Sequence, residues 1–317
     1  MPQSNIAFVF PGQGSQKIGM LAAAYAQFQA VRDTFAEASD ALGYDMWDLI
    51  QQGEQNALNM TETTQPVLLA SSIALWRAWQ EERGPSPAIM AGHSLGEFSA
   101  LVAAGALDFA DAVKLVRSRG QFMQTAVPVG EGAMAAIIGL DDAVIDDVCA
   151  GVAQGIGQVV AAVNFNSPGQ VVIAGQVAAV EAAITALKEA GAKRAMPLPV
   201  SAPFHTSLMK PAGEELAKAI SDIEIQRPGI PVVHNVHAAA ESDPETIRSL
   251  LVEQIYSPVQ WTRCMGSIID AGATHIVECG PGKVLSGLNR RIDKSLESFS
   301  LEEPEALQAA LATLRTA

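Results

Sequence analysis

Ala88-Ile89-Met90-Ala91-Gly92-His93-Ser94-Leu95-Gly96-Glu97-Phe98-Ser99-Ala100-Leu101-Val102-Ala103-Ala104 runs from a short apolar strand, through a glycine-flanked serine, into an apolar helix. Its centre, Gly92-His93-Ser94-Leu95-Gly96, fits the G-x-S-x-G nucleophile elbow, in which a serine sits on a strained strand-to-helix turn. Glycines on either side leave room for the tight backbone. Ser94 then stands at a helix N-terminus, where free N–H groups stabilise a developing oxyanion. An ordinary Gly-Ser turn is the plain alternative; the strand before and the helix after weigh against it.

Outward from the elbow the same rhythm continues. Ile6-Ala7-Phe8-Val9-Phe10 reads as a buried strand entering the loop Pro11-Gly12-Gln13-Gly14. Asp108 caps a helix expected to run through Arg119 to about Ala126, where Pro128 and Gly130 end it. Pro231 to Asn235 and His275 to Glu278 read as later strands. Strands alternating with helices imply an α/β core around a mainly parallel sheet. Between Gly130 and Val200 the order changes. Strands are expected at Ala133–Ile138, Val159–Val163, Val171–Ala174 and Arg194–Val200, and helices at Asp141–Ala153 and Val177–Ala190, with Asn164 to Gly169 as a connector. This β-α-β-β-α-β order is that of a ferredoxin-like unit. The chain is therefore read as a core of residues 1–128 and 199–317, with a ferredoxin-like subdomain over 129–198 inserted in it.

The 317 residues are 49% apolar and 17% charged, a globular composition with room for a sizeable core. No stretch reaches the roughly 20 apolar residues of a membrane span. Met1-Pro2-Gln3-Ser4-Asn5 lacks the basic region of a signal peptide. Cys149, Cys264 and Cys279 are too scattered for a disulfide framework or a zinc site, which points to a reducing cytoplasm and no metal. A net charge of −14 argues against nucleic-acid binding.

A serine hydroxyl needs a base. His205 lies in Ser201-Ala202-Pro203-Phe204-His205-Thr206, a loop beside a proline after an apolar strand, and is the preferred candidate. His93 adjoins the serine, so its side chain is expected to point away and make a supporting hydrogen bond. His234, His237 and His275 read as structural. Ordinary α/β-hydrolases run serine, acid, then a histidine near the C-terminus. Here 112 residues (317 − 205) follow His205 and no acid stands out, leaving a backbone or amide oxygen to orient the imidazole.

In the helix from Asp111 to Met123, Arg119 shares the apolar stripe of Leu115, Val116, Phe122 and Met123, while Arg117 lies about 200° away. A buried guanidinium needs an anion, either from the protein or from a ligand. The nearby elbow favours a ligand carboxylate, which arginine grips with two hydrogen bonds.

Phe10-Pro11-Gly12-Gln13-Gly14-Ser15-Gln16, Gly92-His93-Ser94-Leu95-Gly96-Glu97 and Pro203-Phe204-His205 together resemble the malonyl-CoA:acyl-carrier-protein transacylases of bacterial fatty-acid synthesis. Asn164-Phe165-Asn166-Ser167-Pro168-Gly169-Gln170 and Gly280-Pro281-Gly282-Lys283-Val284-Leu285 extend the resemblance over nearly the whole chain. It implies a hydrolase-like core carrying a ferredoxin-like subdomain, with the active site between them. It also implies ping-pong transfer of malonyl, through Ser94 with His205 as base, from malonyl-CoA to the phosphopantetheine thiol of acyl-carrier protein, without a cofactor. Gln13 and Leu95 would supply the oxyanion-hole N–H groups, Arg119 would hold the malonyl carboxylate and Gln254 would orient His205. His93, Asn164 and Phe204 would line the substrate site, Phe204 matching the malonyl-selective pattern of related polyketide acyltransferase domains.

A thioesterase, with water as acceptor, is the first rival; the chain order and Arg119 speak against it. A nucleotide-binding protein is the second. Gly12-Gln13-Gly14 is followed by Lys17 where G-x-G-x-x-G needs glycine, and Gly282-Lys283 is followed by Val284 where a P-loop needs Ser or Thr. A non-catalytic scaffold is the third. Because carrier proteins are acidic, docking calls for a local basic patch, with Lys188, Lys193, Arg194, Lys283, Arg290 and Arg291 as candidates. A monomer is expected.

Overall fold

The computed structural model describes residues 4–315. Met1-Pro2-Gln3, part of the segment read as lacking a signal peptide, lies outside the described residues. At the centre is β1 (Ile6–Phe10), buried at all five positions. A strand covered on both faces reads as a continuous apolar run, which is what this pentapeptide is. β1 pairs in parallel with β2 (Ile89–Gly92) on one side and β9 (His275–Glu278) on the other. β10 (Glu297–Ser300) extends the sheet beyond β9. β7 (Val232–Val233) extends it beyond β2, and the antiparallel β8 (Ala240–Glu241) closes that edge. The order is β10-β9-β1-β2-β7-β8, the mainly parallel sheet expected. β7 is shorter than expected: regular pairing stops at Val233, and His234 and Asn235 turn towards the elbow.

The long helix Thr61–Glu81 packs across this sheet and is buried along most of its length. Phe8 meets Trp76 and Trp79 edge-on, with ring centroids 5.2 and 5.4 Å apart. The helix Phe109–Thr125, capped by Asp108 accepting from the Asp111 amide, crosses the start of the long helix. A Cβ on Gly120 would lie 2.6 Å from the Thr61 carbonyl oxygen, so only glycine permits this approach. That crossing brings Arg119 against Gln65.

The second sheet is antiparallel, ordered β4-β5-β3-β6 from β3 (Gly132–Ile138), β4 (Val160–Ser167), β5 (Gln170–Gln176) and β6 (Arg194–Pro197). Helices Asp142–Ile156 and Val177–Glu189 cover it over their own core of Ile137, Ile145, Ile173 and Leu187. One expectation is corrected. Asn164 to Ser167 do not form a connector but continue β4, and the turn is confined to Pro168-Gly169. Register shifts between Ala162 and Asn164 and between Phe165 and Ser167 bend the strand. Its outer edge is stitched to the core: the Val259 N–H donates to Val163 O at 2.8 Å, and the Phe165 N–H donates to Val259 O at 3.0 Å. β6 likewise ends at Pro197 rather than Val200.

All three cysteines are buried and unpaired. Among the described residues, no helix is long and apolar enough to cross a membrane, and no cluster of His, Cys, Asp and Glu has the form of a metal site.

Candidate active site

Ser94 adopts φ 51° and ψ −108° immediately after β2, at the head of the helix Leu95–Ala103. A non-glycine residue there is strained, and the packing around it shows what maintains the strain. A Cβ on Gly92 would fall 1.9 Å from the carbonyl carbon and oxygen of Gly96, and one on Gly96 would fall 2.0 Å from Phe10 O. Both glycines are thus obligatory, because backbone, not a flexible side chain, occupies the space. Gly92→Ala is expected to destabilise the fold by roughly 1–3 kcal/mol or more through forced backbone movement, seen as a lowered Tm with weakened Ser94 acylation. An unchanged Tm would mean that the turn tolerates a Cβ.

The Ser94 hydroxyl lies 2.9 Å from His205 Nε2. On the far side of the ring, Nδ1–H donates to the main-chain oxygen of Gln254 at 2.8 Å. Gln254 ends the helix Pro244–Gln254, and carbonyls in a last turn lack helical partners. A helix terminus therefore does what an aspartate does elsewhere, fixing the tautomer with Nε2 free to accept the serine proton. Burial above all, and then the charge of Arg119, push the His205 imidazole down to about 3, so it is neutral near pH 7. Its own φ of 62° shows that the loop, too, is held out of relaxed geometry. Phe204 N–H to Ala202 O and Thr206 Oγ1 to Pro203 O, at 3.0 and 2.7 Å, brace it.

Arg119 is 1% exposed. Its Nη1 donates to Gln65 Oε1 at 2.8 Å, and its Nη2 donates to Gln254 Oε1 at 2.7 Å and to Ser94 Oγ at 3.2 Å. Nε has no partner among the described residues, and the guanidinium lies over the Phe98 ring at 5.2 Å. Every hydrogen-bonding partner is neutral. Burial lowers Arg119 to about 10, against an upward pull from Glu97, so the charge persists at neutral pH. The inward face read from helical spacing is therefore correct, and among the described residues no internal salt bridge consumes the charge.

His93 turns away from the serine as expected, its Nε2 meeting Asn166 Oδ1 at 2.7 Å. Burial lowers its pKa, keeping the ring neutral. The loop before the elbow is pressed against it, since a Cβ on Gly12 would lie 2.5 Å from His93 O. This brings Gln13 to the same cavity, of about 130 Å³, that Ser94, Leu95, Arg119, His205, Asn164 and Phe204 line. The Gln13 and Leu95 amides donate no hydrogen bond among the described residues.

Sequence reasoning missed Gln65, Asn235 and Glu97. Asn235 accepts from the Ser94 N–H at 2.8 Å and donates to Gly92 O at 2.7 Å, clamping both sides of the elbow. A carboxylate three residues after the serine, in the mostly apolar helix Leu95–Ala103, was a signal of an inward-facing polar group; Gln65, which follows the polar run Thr61-Glu62-Thr63-Thr64, gave none. Asn235 gave no such signal.

The acyl transferase domain family matches residues 7–307 of this chain. The malonyl CoA-acyl carrier protein transacylase of Salmonella typhimurium is 58% identical over 308 residues, 97% of this chain and 99% of its own length. That of Bacillus subtilis is 46% identical over 312 residues, 98% of each. The acyl carrier protein S-malonyltransferase of Vibrio cholerae superposes with a TM-score of 0.95 at 56% identity, covering 96% of this chain and 99% of that one. A malonyl-transacylase solved in complex with its type II PKS acyl-carrier protein gives 0.96 at 54%, covering 98% and 100%. With an elbow serine, a histidine at hydrogen-bond distance and matches of this extent, the chain belongs to the acyl transferase family, among its malonyl CoA-acyl carrier protein transacylases.

Proposed function

We propose that this chain transfers malonyl from malonyl-CoA to the phosphopantetheine thiol of acyl-carrier protein through a malonyl-Ser94 intermediate. The observation that carries this reading is a buried, protonated guanidinium 3.2 Å from the candidate nucleophile with only neutral partners. Such a group calls for a carboxylate, and malonyl brings one to that position.

Ser94 Oγ attacks the thioester carbonyl while His205 Nε2 takes its proton, and the oxyanion forms against the Gln13 and Leu95 N–H groups. Collapse breaks the C–S bond, and the departing thiolate of CoA takes the proton back from His205. The carrier thiol then repeats the steps in reverse, with its proton passing to His205 and on to Ser94. Gln254 holds the imidazole, Arg119 holds the carboxylate, and His93, Asn164 and Phe204 shape the cavity. The residues assigned to the site all come from one chain, which suits action as a monomer. The antiparallel sheet, whose helix-covered face has a core of its own, supports a subdomain at 129–198 inserted in a core of 1–128 and 199–317. Unpaired cysteines suit a reducing cytoplasm.

Intact-mass spectrometry tests the pathway. Malonyl-CoA should add one malonyl group to the protein, and phosphopantetheinylated carrier should then remove it and gain it. Release of free malonate instead would make the chain a thioesterase. The clamp has its own test. Arg119→Ala should cost malonyl transfer about 2–5 kcal/mol, the usual penalty for stranding a charged partner, and leave acetyl transfer unharmed or improved. The malonyl-to-acetyl ratio of kcat/KM is the measurement; an equal fall for both in a folded protein reduces Arg119 to a structural part.

A further inference from the structure

Beneath the elbow lies a carboxylate to which the transfer mechanism assigns no role. Glu97 is fully buried in the first turn of the helix that Ser94 heads. Its Oε1 accepts from His234 Nδ1 at 2.7 Å. Its Oε2 accepts from the Asn235 main-chain N–H and from Gln254 Nε2, both at 2.9 Å. Gln254 Nε2 also donates to Ser94 O at 3.0 Å, while its Oε1 accepts from Arg119 Nη2. Asn235, held by Glu97 through its backbone, holds the Ser94 N–H through its side chain.

We propose that Glu97 is a positioning residue for the transfer: it fixes the Gln254 amide with its oxygen, not its nitrogen, towards Arg119, and so keeps the guanidinium beside Ser94 ready for a substrate carboxylate. A primary amide has two ends of nearly equal shape and opposite hydrogen-bonding sense. Turned over, Gln254 would set its NH₂ against a guanidinium that only donates, and its oxygen against a carboxylate and a carbonyl that only accept. The carboxylate makes that arrangement prohibitive in a buried site, where unpaired polar groups cost most. The same negative charge favours the protonated guanidinium, yet it stays one residue removed and does not occupy the face a ligand would take. Glu97 thus orients the arginine without neutralising it through a direct salt bridge. This inference rests on Arg119 being the carboxylate clamp.

The test is the malonyl-to-acetyl ratio of kcat/KM in the full-length protein, for native, Glu97→Gln, Arg119→Ala and the double variant. Glu97→Gln keeps the shape and removes the charge, and its NH₂, placed where Oε1 now accepts, has to drive His234 to its other tautomer or displace a donor. The ratio is expected to fall about ten- to hundredfold, the worth of a hydrogen bond to a charged group, with acetyl transfer showing that the elbow survives. In the Arg119→Ala background the same change should leave the ratio where it is. Equal falls for both substrates, no change, or a further fall of the same size without Arg119 would overturn the proposal. Should Glu97→Gln not fold, Gln254→Asn decides. It withdraws the amide from both Arg119 and Glu97 while the main-chain oxygen on His205 stays, and an unchanged ratio would overturn the proposal. If Arg119→Ala alone leaves the ratio unchanged, the clamp reading fails and this inference with it. A collapse there combined with a steady ratio in Glu97→Gln removes only the role of Glu97.

Discussion

Ser94→Ala is expected to abolish the acyl-enzyme and to slow malonyl transfer by on the order of 10⁶-fold, the loss typical when the nucleophile of a serine–histidine pair is removed. The reason lies in what remains. The Ser94 N–H would still donate to Asn235, and both flanking glycines keep the turn, so the elbow should persist without its oxygen. Among the described residues no cysteine is poised to replace it. Burial pushes the Cys149 thiol up to about 12 and raises Cys264 and Cys279 well above the ordinary thiol range, so thiolate is scarce at all three. Intact mass after incubation with malonyl-CoA is the direct measurement. A mutant that still gains one malonyl group would show that Ser94 is not the acceptor.

What the sequence revealed, and what it concealed, follows the range of the interactions. The elbow is local: glycines two residues on either side of Ser94 are demanded by backbone contacts of that same turn and of β1. Arg119 was legible because four neighbours on its own helix define the buried face. His205 was legible from a loop beside a proline, though its partner was not. The oxygen on Nδ1 belongs to the main chain of Gln254, which any residue type at that helix end would supply, so residue identity cannot reveal it; the resemblance alone suggested Gln254. Asn235 and Gln65 reach the site across 141 and 54 residues of sequence. Their roles depend on how β7 and the long helix pack, which no local pattern carries. The segment from Asn164 to Ser167 misled for a related reason. Its polar composition reads as loop, but the strand is bent by register shifts and paired along one edge with Val259, and this places Asn164 in the cavity and Asn166 on His93.

His205→Ala should slow acylation by about 10²–10⁴-fold at neutral pH, the usual contribution of a positioned general base, and part of the loss should return as pH rises and solvent base takes over. The native pH profile is the sharper test. With the imidazole held near 3 in the free protein, kcat/KM should show no acid limb at the ordinary histidine value of about 6.5. Arg119 is the second cause of that depression, and a bound malonyl carboxylate would offset its charge. The acid limb in kcat, which reports the substrate complex, should therefore sit at higher pH for malonyl than for acetyl. Stability carries the same signature. Below about 6.5 the unfolded chain binds a proton at residue 205 that the folded chain refuses until pH approaches 3, so stability from this site is complete above 6.5 and lost as pH falls. His205→Ala lacks that proton uptake, and its Tm should drop less than the native Tm between neutral and mildly acidic pH. A near-normal acylation rate in the mutant at neutral pH would take the base role from His205, and His93, already turned onto Asn166, would be the next histidine to replace.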